Sequence, residues 1–178
     1  GICRSDRHFM HGHAPIPLPA VLGHEGAGTV ERVGPGVTSV KPGDPVILTF
    51  VPACGRCKSC VEGHANICDE HMATGPQMFD GTCRLHKGGQ DIHHMGKTAC
   101  FAEYAVVPEN GCVPMTSPIP MDIAAMIGCC VLTGVGAAIF SAKVEPGSTV
   151  AVVGCGGVGL NVIMGAKLLS ASKIIAVD

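Results

Sequence analysis

Four cysteines stand within fifteen residues, spaced Cys54-x2-Cys57-x2-Cys60-x7-Cys68, and no other feature of the 178-residue chain restricts its folding more. Thiolates at this density can close a tetrahedron around one Zn²⁺ unaided, and a structural site uses all four positions. Iron–sulfur clusters are held by similar spacings, commonly with a proline after the last cysteine. Here Asp69 follows Cys68, which favours zinc, and Gly55 and Gly63 let the loop turn around an ion. The total of 11 Cys is odd, so internal disulfide pairing cannot be complete. Gly1-Ile2-Cys3-Arg4-Ser5-Asp6 has no signal-peptide pattern, and a reducing, cytoplasmic setting is expected.

Charge and hydropathy exclude several classes. Hydrophobic residues make up 47% and charged residues 15%, far from the profile of a disordered chain. A net charge of −2 leaves no basic surface for a nucleic-acid backbone. With no Trp and one Tyr, the core must come from Val, Ile, Leu, Ala and Met. The uncharged runs 123–140 and 147–166 are long enough to span a bilayer, but glycines interrupt both and no aromatic belt flanks them. Buried α/β segments explain them better, and no membrane partner is expected.

The texture changes near Pro120. Of 13 prolines, 12 lie at or before it, among short β-rich runs at Gly26–Val33, Pro45–Val51 and Phe101–Val107. Turns such as Gly34-Pro35-Gly36 separate them, as in an all-β barrel with long loops. Arg84–Lys97 reads as a surface excursion. Beyond Pro120 a helix is expected from Asp122 as N-cap, then a strand at Thr149–Val153, a helix at Leu160–Leu169 and a strand at Ile174–Val177. That is one β-α-β unit. Between its first strand and its helix stands Gly154-Cys155-Gly156-Gly157-Val158-Gly159, in the context a dinucleotide-binding turn requires. Asp178, 19 residues after Gly159, would accept from ribose hydroxyls and repel a 2′-phosphate, favouring NAD over NADP. Both chain ends lead us to expect a longer protein around this segment.

Gly23-His24-Glu25-x2-Gly28-x5-Gly34-x2-Val37 resembles the signature of zinc-containing medium-chain alcohol dehydrogenases, as does Gly1-Ile2-Cys3-Arg4-Ser5-Asp6. The four-cysteine lobe, Gly128-Cys129 and the glycine turn follow in that family's order, so the resemblance runs through the whole chain. It implies a GroES-like β-barrel catalytic domain over residues 1–131, with a structural zinc lobe at 52–70, and the start of an α/β Rossmann domain at 132–178. Cys3, His24 and Cys129 would hold a catalytic zinc, the two-cysteine, one-histidine ligand set known for alcohol dehydrogenases. Cys54, Cys57, Cys60 and Cys68 would hold a structural one, giving two Zn²⁺ per chain. Glu25 would stand behind the metal, Asp6 would orient His24, and Ser5 and His8 would relay the alcohol proton. Arg4 would reach the pyrophosphate and Thr133 the nicotinamide, with Gly154, Gly156, Gly157, Val158 and Gly159 around the NAD.

The implied activity is hydride transfer between a primary or secondary alcohol and NAD(H), by a homodimer or homotetramer. Phe79-Asp80-Gly81-Thr82-Cys83-Arg84 is also similar to S-(hydroxymethyl)glutathione (formaldehyde) dehydrogenase, although Ala14 and Met72 replace an acidic residue and an Arg expected there. Val51-Pro52-Ala53-Cys54-Gly55-Arg56-Cys57 is similar to nicotinoprotein alcohol dehydrogenases, which keep NAD bound. A non-catalytic zinc-binding module is the alternative from another class. Cys130 departs from the family, which usually has Gly there. His11, His13, His64, His71, His86, His93 and His94 match no family role and are expected to be solvated or structural.

Overall fold

Short strands, not long ones, are what the proline- and glycine-rich first part supports. In a computed structural model, which describes residues 1–178, the chain forms two units, Gly1–Gly128 and Cys129–Asp178. In the first, β2 (Ala27–Thr29), β3 (Pro45–Leu48) and β6 (Cys112–Pro114) make an antiparallel sheet in the order β2-β3-β6. Gly28 pairs with Val46, and Ile47 with Val113. Val46, Ile47 and Leu48 are all buried, the continuous apolar run of a strand covered on both faces. Val46 and Leu48 pack with Val40, and Val30, Val37, Cys100, Val107 and Cys112 close around them.

A second small sheet runs β1 (Ala20–Val21), β5 (Gln90–His94), β4 (Leu85–Lys87), with β1 parallel to β5. Four helices accompany the sheets: α1 (Arg4–Met10), α2 (Lys58–Val61), α3 (Asp69–Thr74) and α4 (Met121–Met126). The first unit is therefore mixed α/β and not all-β. Two local expectations also fail. Phe101–Val107 forms no strand; it is irregular, anchored where the amides of Cys100 and Phe101 donate to Gly23 O and Leu22 O. Arg84–Lys97 is not merely a surface excursion, because it supplies β4 and β5 and ends in the buried residues His94, Met95 and Lys97. The Lys97 ammonium donates to Gly75 O at 2.8 Å and His71 O at 3.4 Å, the carbonyl end of α3, and stands 5.3 Å over the Phe79 ring.

After Pro120, α4 starts at Met121, so Asp122 lies in its first turn and is not its N-cap. The helical run continues through π-turns at Ile127–Val131 and Ala137–Ser141 with α5 (Leu132–Gly136) between them. By length and composition alone residues 121–141 could cross a membrane. Their glycines are used for close packing instead: Gly128 lies against the Leu48 carbonyl, and Gly134 against Val158 and Asn161. In the second unit β7 (Thr149–Val153) and β8 (Lys173–Val177) pair in parallel from Thr149↔Lys173 to Val153↔Val177. Between them α6 spans Gly157–Leu168, starting three residues before the expected Leu160, directly at the glycine turn.

Candidate functional site

Asp6 organises the residues of the first unit that could ligate a metal. Its carboxylate, 1% exposed, accepts from the Cys3 amide at 2.9 Å and the Gly23 amide at 3.0 Å, and pairs with His24 Nδ1 at 3.2 Å. The Cys3 contact is one half of a capping box at the start of α1, so the helix N-terminus itself holds the carboxylate in place. The Gly23–Glu25 segment follows β1 and is clamped by the Thr98 hydroxyl on Gly23 O at 2.8 Å. The His24 ring meets Phe50 edge-on at 5.2 Å. With Nδ1 engaged by Asp6, Nε2 is the nitrogen that can ligate a metal, the usual carboxylate–histidine–metal order. The Cys3 sulfur lies within 4.8 Å of a His24 ring nitrogen. Glu25 is buried beside it, and the Cys3 thiol donates to Ser5 Oγ at 3.8 Å. Ser5 and His8 lie one turn apart and exposed on α1, as does Arg4 at its start.

The four sulfurs of Cys54, Cys57, Cys60 and Cys68 lie within 4.8 Å of one another, and Cys57 and Cys68 are 3.9 Å apart. Zn–S bonds of about 2.3 Å at tetrahedral angles separate sulfurs by about 3.8 Å, so this donor set fits zinc. Backbone amides serve the sulfurs: Cys54 N donates to Cys68 at 3.3 Å, Cys57 N to Cys54 at 3.3 Å, and His71 N to Cys68 at 3.5 Å. Burial alone would push the Cys68 thiol up, but the Cys54 and His71 amides outweigh it and bring it down to about 7. Burial drives Cys60 the other way, to about 12, against the Gly55 amide, which lowers it. A divalent ion would take the place of those protons. Outside the sulfurs, Arg56 grips Glu70 with two bonds of 2.9 Å, and Ser59 Oγ donates to Asp69 at 2.7 Å.

In the second unit the glycine turn joins β7 to α6. A Cβ on Gly159 would fall on the Gly154 carbonyl oxygen, so only Gly fits there. Gly156 has nothing within 4 Å of a Cβ, leaving open space above the turn. Asp178 reaches back to this turn and accepts from the Cys155 amide at 2.9 Å. The turn, a helix N-terminus and a carboxylate at the end of β8 are the parts a dinucleotide needs. Val158 and Thr133 are exposed on α6 and α5, and Cys129 and Cys130 are buried on the π-turn that precedes α5. Gly159→Ala is expected to destabilise the chain by more than about 2 kcal/mol, since the overlap is with backbone. Gly156→Ala should cost less than about 1 kcal/mol and weaken dinucleotide binding instead. Urea unfolding midpoints of the two variants check this.

Residues 1–117 match the family model of the alcohol dehydrogenase GroES-like domain. The chain superposes over its whole length on an alcohol dehydrogenase zinc-binding domain protein from Burkholderia ambifaria, at 40% identity and TM-score 0.91. The chain belongs to the zinc-dependent alcohol dehydrogenase family. Benzyl alcohol dehydrogenase from Acinetobacter calcoaceticus matches at 37% identity and TM-score 0.85, again over 100% of this chain. An alcohol dehydrogenase from Thermus sp. ATN1 matches at 33% and 0.77. The chain covers 49%, 48% and 48% of these three, so it spans about half their length.

Two buried polar residues, Asn161 and Lys97, add contacts that the sequence pattern does not announce. Asn161 donates to Gly157 O at 2.7 Å and lies 3.7 Å from the Cys130 sulfur, tying the first turn of α6 to the residue after Cys129. Lys97 closes the end of the helix that Cys68 opens. Asn161 stands four residues after Gly157, a helical spacing that could have flagged it; nothing local marks Lys97.

Proposed function

We propose that the chain carries the zinc sites and the NAD-binding turn of an alcohol dehydrogenase that moves a hydride between a primary or secondary alcohol and NAD(H). The observation that carries the reading is the buried Asp6–His24 pair beside Cys3, a ligand assembly already oriented for a metal. Cys3, His24 and Cys129 would hold a catalytic zinc, which when bound polarises the alcohol oxygen and eases loss of its proton. The four-cysteine lobe would hold a structural zinc with no open position. Asp6 keeps His24 in one tautomer and one orientation, and Glu25 places a buried carboxylate at the same segment. Ser5 Oγ receives the alcohol proton and passes it to the His8 ring, which faces solvent from α1.

The β7-α6-β8 unit would begin a Rossmann domain. Gly156 would let the pyrophosphate approach, Arg4 would pair with it, Thr133 and Val158 would border the nicotinamide, and Asp178 would accept from the ribose hydroxyls. The enzyme would be a soluble, cytoplasmic homo-oligomer. Benzyl alcohol is a first substrate to try, since one similar enzyme is named for it. The test is activity and cofactor choice in the enzyme that carries this chain. NAD-linked oxidation of benzyl alcohol is expected without added glutathione, and Asp178→Ser should shift preference toward NADP by at least about tenfold, or 1.4 kcal/mol. Absence of any NAD-linked alcohol oxidation by the zinc-loaded enzyme would sink the reading.

A further inference from the structure

The end of α1 gathers three imidazoles through a specific backbone device. Gly12 adopts φ +71°, its amide donates to Phe9 O at 3.1 Å, and the His13 amide donates to His8 O at 2.8 Å. These are the two bonds of a glycine-terminated helix cap, which fold the residue after the glycine back over the last turn. A hydrophobic pair usually forms between those two positions; here both are histidines. The His8 and His13 rings lie 5.8 Å apart between centroids at 71°, and His11 and His13 lie 5.9 Å apart at 25°. His11, the C-cap of α1, stands three residues after His8. All three side chains are exposed.

We propose that His8, His11 and His13 form a surface site for a transition-metal ion such as Zn²⁺, distinct from the two cysteine-containing sites. Imidazole is among the preferred ligands of zinc, copper and nickel. Three imidazoles bound at about 2.0–2.1 Å in tetrahedral geometry place their ring centroids about 5.2 Å apart. The His8–His13 and His11–His13 centroids therefore need to close by less than about 1 Å, with the rings turned so that one nitrogen of each converges, movements that exposed side chains make by rotation about χ1 and χ2. The glycine cap already holds His13 over His8, so little backbone ordering remains to oppose binding. A consequence follows that rests on the proton path proposed above. A metal on the His8 ring occupies the nitrogen lone pair that would accept the proton from Ser5, so ion binding here slows alcohol oxidation.

The test uses the chain with its cysteine sites already filled with zinc. Titration calorimetry with further Zn²⁺ is expected to show one additional ion per chain. In His11→Ala/His13→Ala its affinity should fall by more than about 100-fold, beyond what outer ligand-orienting groups alone are worth. The zinc retained through dialysis should be the same in both. No additional ion, or one bound equally by the double variant, overturns the site. In the enzyme that carries this chain, added Zn²⁺ should slow benzyl alcohol oxidation, while the double variant keeps the parent's uninhibited rate and resists the ion. Binding that is lost in the double variant with no effect on rate would overturn the proton-path consequence alone. An enzyme inactive even without added Zn²⁺ would instead count against the proposed function, leaving the calorimetric result standing.

Discussion

Replacing Cys129 with Ser is expected to lower the zinc content from two ions per chain to one and to abolish alcohol oxidation in the enzyme that carries it. The reason lies in the donor. A thiol gives up its proton near pH 8.5 in water and more readily at a metal, whereas a serine hydroxyl stays protonated and binds zinc poorly. Affinity at the catalytic site should therefore fall by more than about 100-fold, since groups that only orient ligands already account for 10–100-fold. Ser is nearly isosteric, so the buried π-turn that carries Cys129 keeps its packing. Asp6 and His24 stay paired because their contacts lie wholly within Gly1–Gly128. Elemental analysis checks the count, with the four-cysteine lobe as internal control. Two zinc ions with undiminished turnover would remove Cys129 from the ligand set. A count of zero would show that the substitution had disrupted the lobe as well.

Asp6→Asn separates ligation from orientation in the same site. The remaining carbonyl oxygen can still accept from the Gly23 amide, but the NH2 group that replaces Oδ2 cannot accept from the Cys3 amide, and the charge that favours a proton on His24 Nδ1 is lost. Zinc should be held about 10–100-fold more weakly than in the parent, a smaller loss than that of Cys129→Ser. Competition with a chelator whose zinc affinity is known measures both.

The parts legible from sequence are those whose chemistry is local. Four cysteines in fifteen residues can meet around one point with no help from the rest of the chain, because only short loops, which Gly55 and Gly63 let turn, have to close between them. The glycine turn is legible for the same reason, since β7, the turn and α6 are contiguous. The Asp6–His24 pair is different. Its partners are separated by 18 residues and are suggested only by resemblance to a family. Lys97 was illegible, because the carbonyls that satisfy a buried ammonium come from the end of a helix more than 20 residues away. Phe101–Val107 misled through propensity: its residues suit a strand, yet the run pairs with no ladder and stays irregular. Of the three histidines at the end of α1, resemblance marks His8 as a proton relay while His11 and His13 read as solvated or structural; all three are exposed, and the nearness of His13 to His8 depends on the left-handed turn at Gly12.

Cys68→Ala should have the largest effect on folding. Cys68 is completely buried, accepts the amides of Cys54 and His71, and caps the N-terminus of α3 with its sulfur. Its loss removes a ligand, a helix cap and the centre of the amide–sulfur network together. The metal contribution dominates: structural zinc in small domains supplies roughly 10–16 kcal/mol of apparent binding energy at neutral pH, against about 1 kcal/mol for a helix cap. The surface pair Arg56–Glu70 offsets little of this, because both side chains reach solvent. Without the ion, Cys54, Cys57 and Cys60 have no apolar core to hold them, since none of the residues of α2 is buried. The expected result is one zinc fewer per chain and rapid proteolysis between residues 54 and 75. Cys83→Ala is the control. That residue is also buried but lies outside both ligand sets, so its loss should leave a small cavity, the full zinc content and a protease-resistant lobe. Equal zinc content in the two variants would show that the four thiols do not share an ion, and Lys97, held against the end of α3, would then be the chief restraint on this lobe.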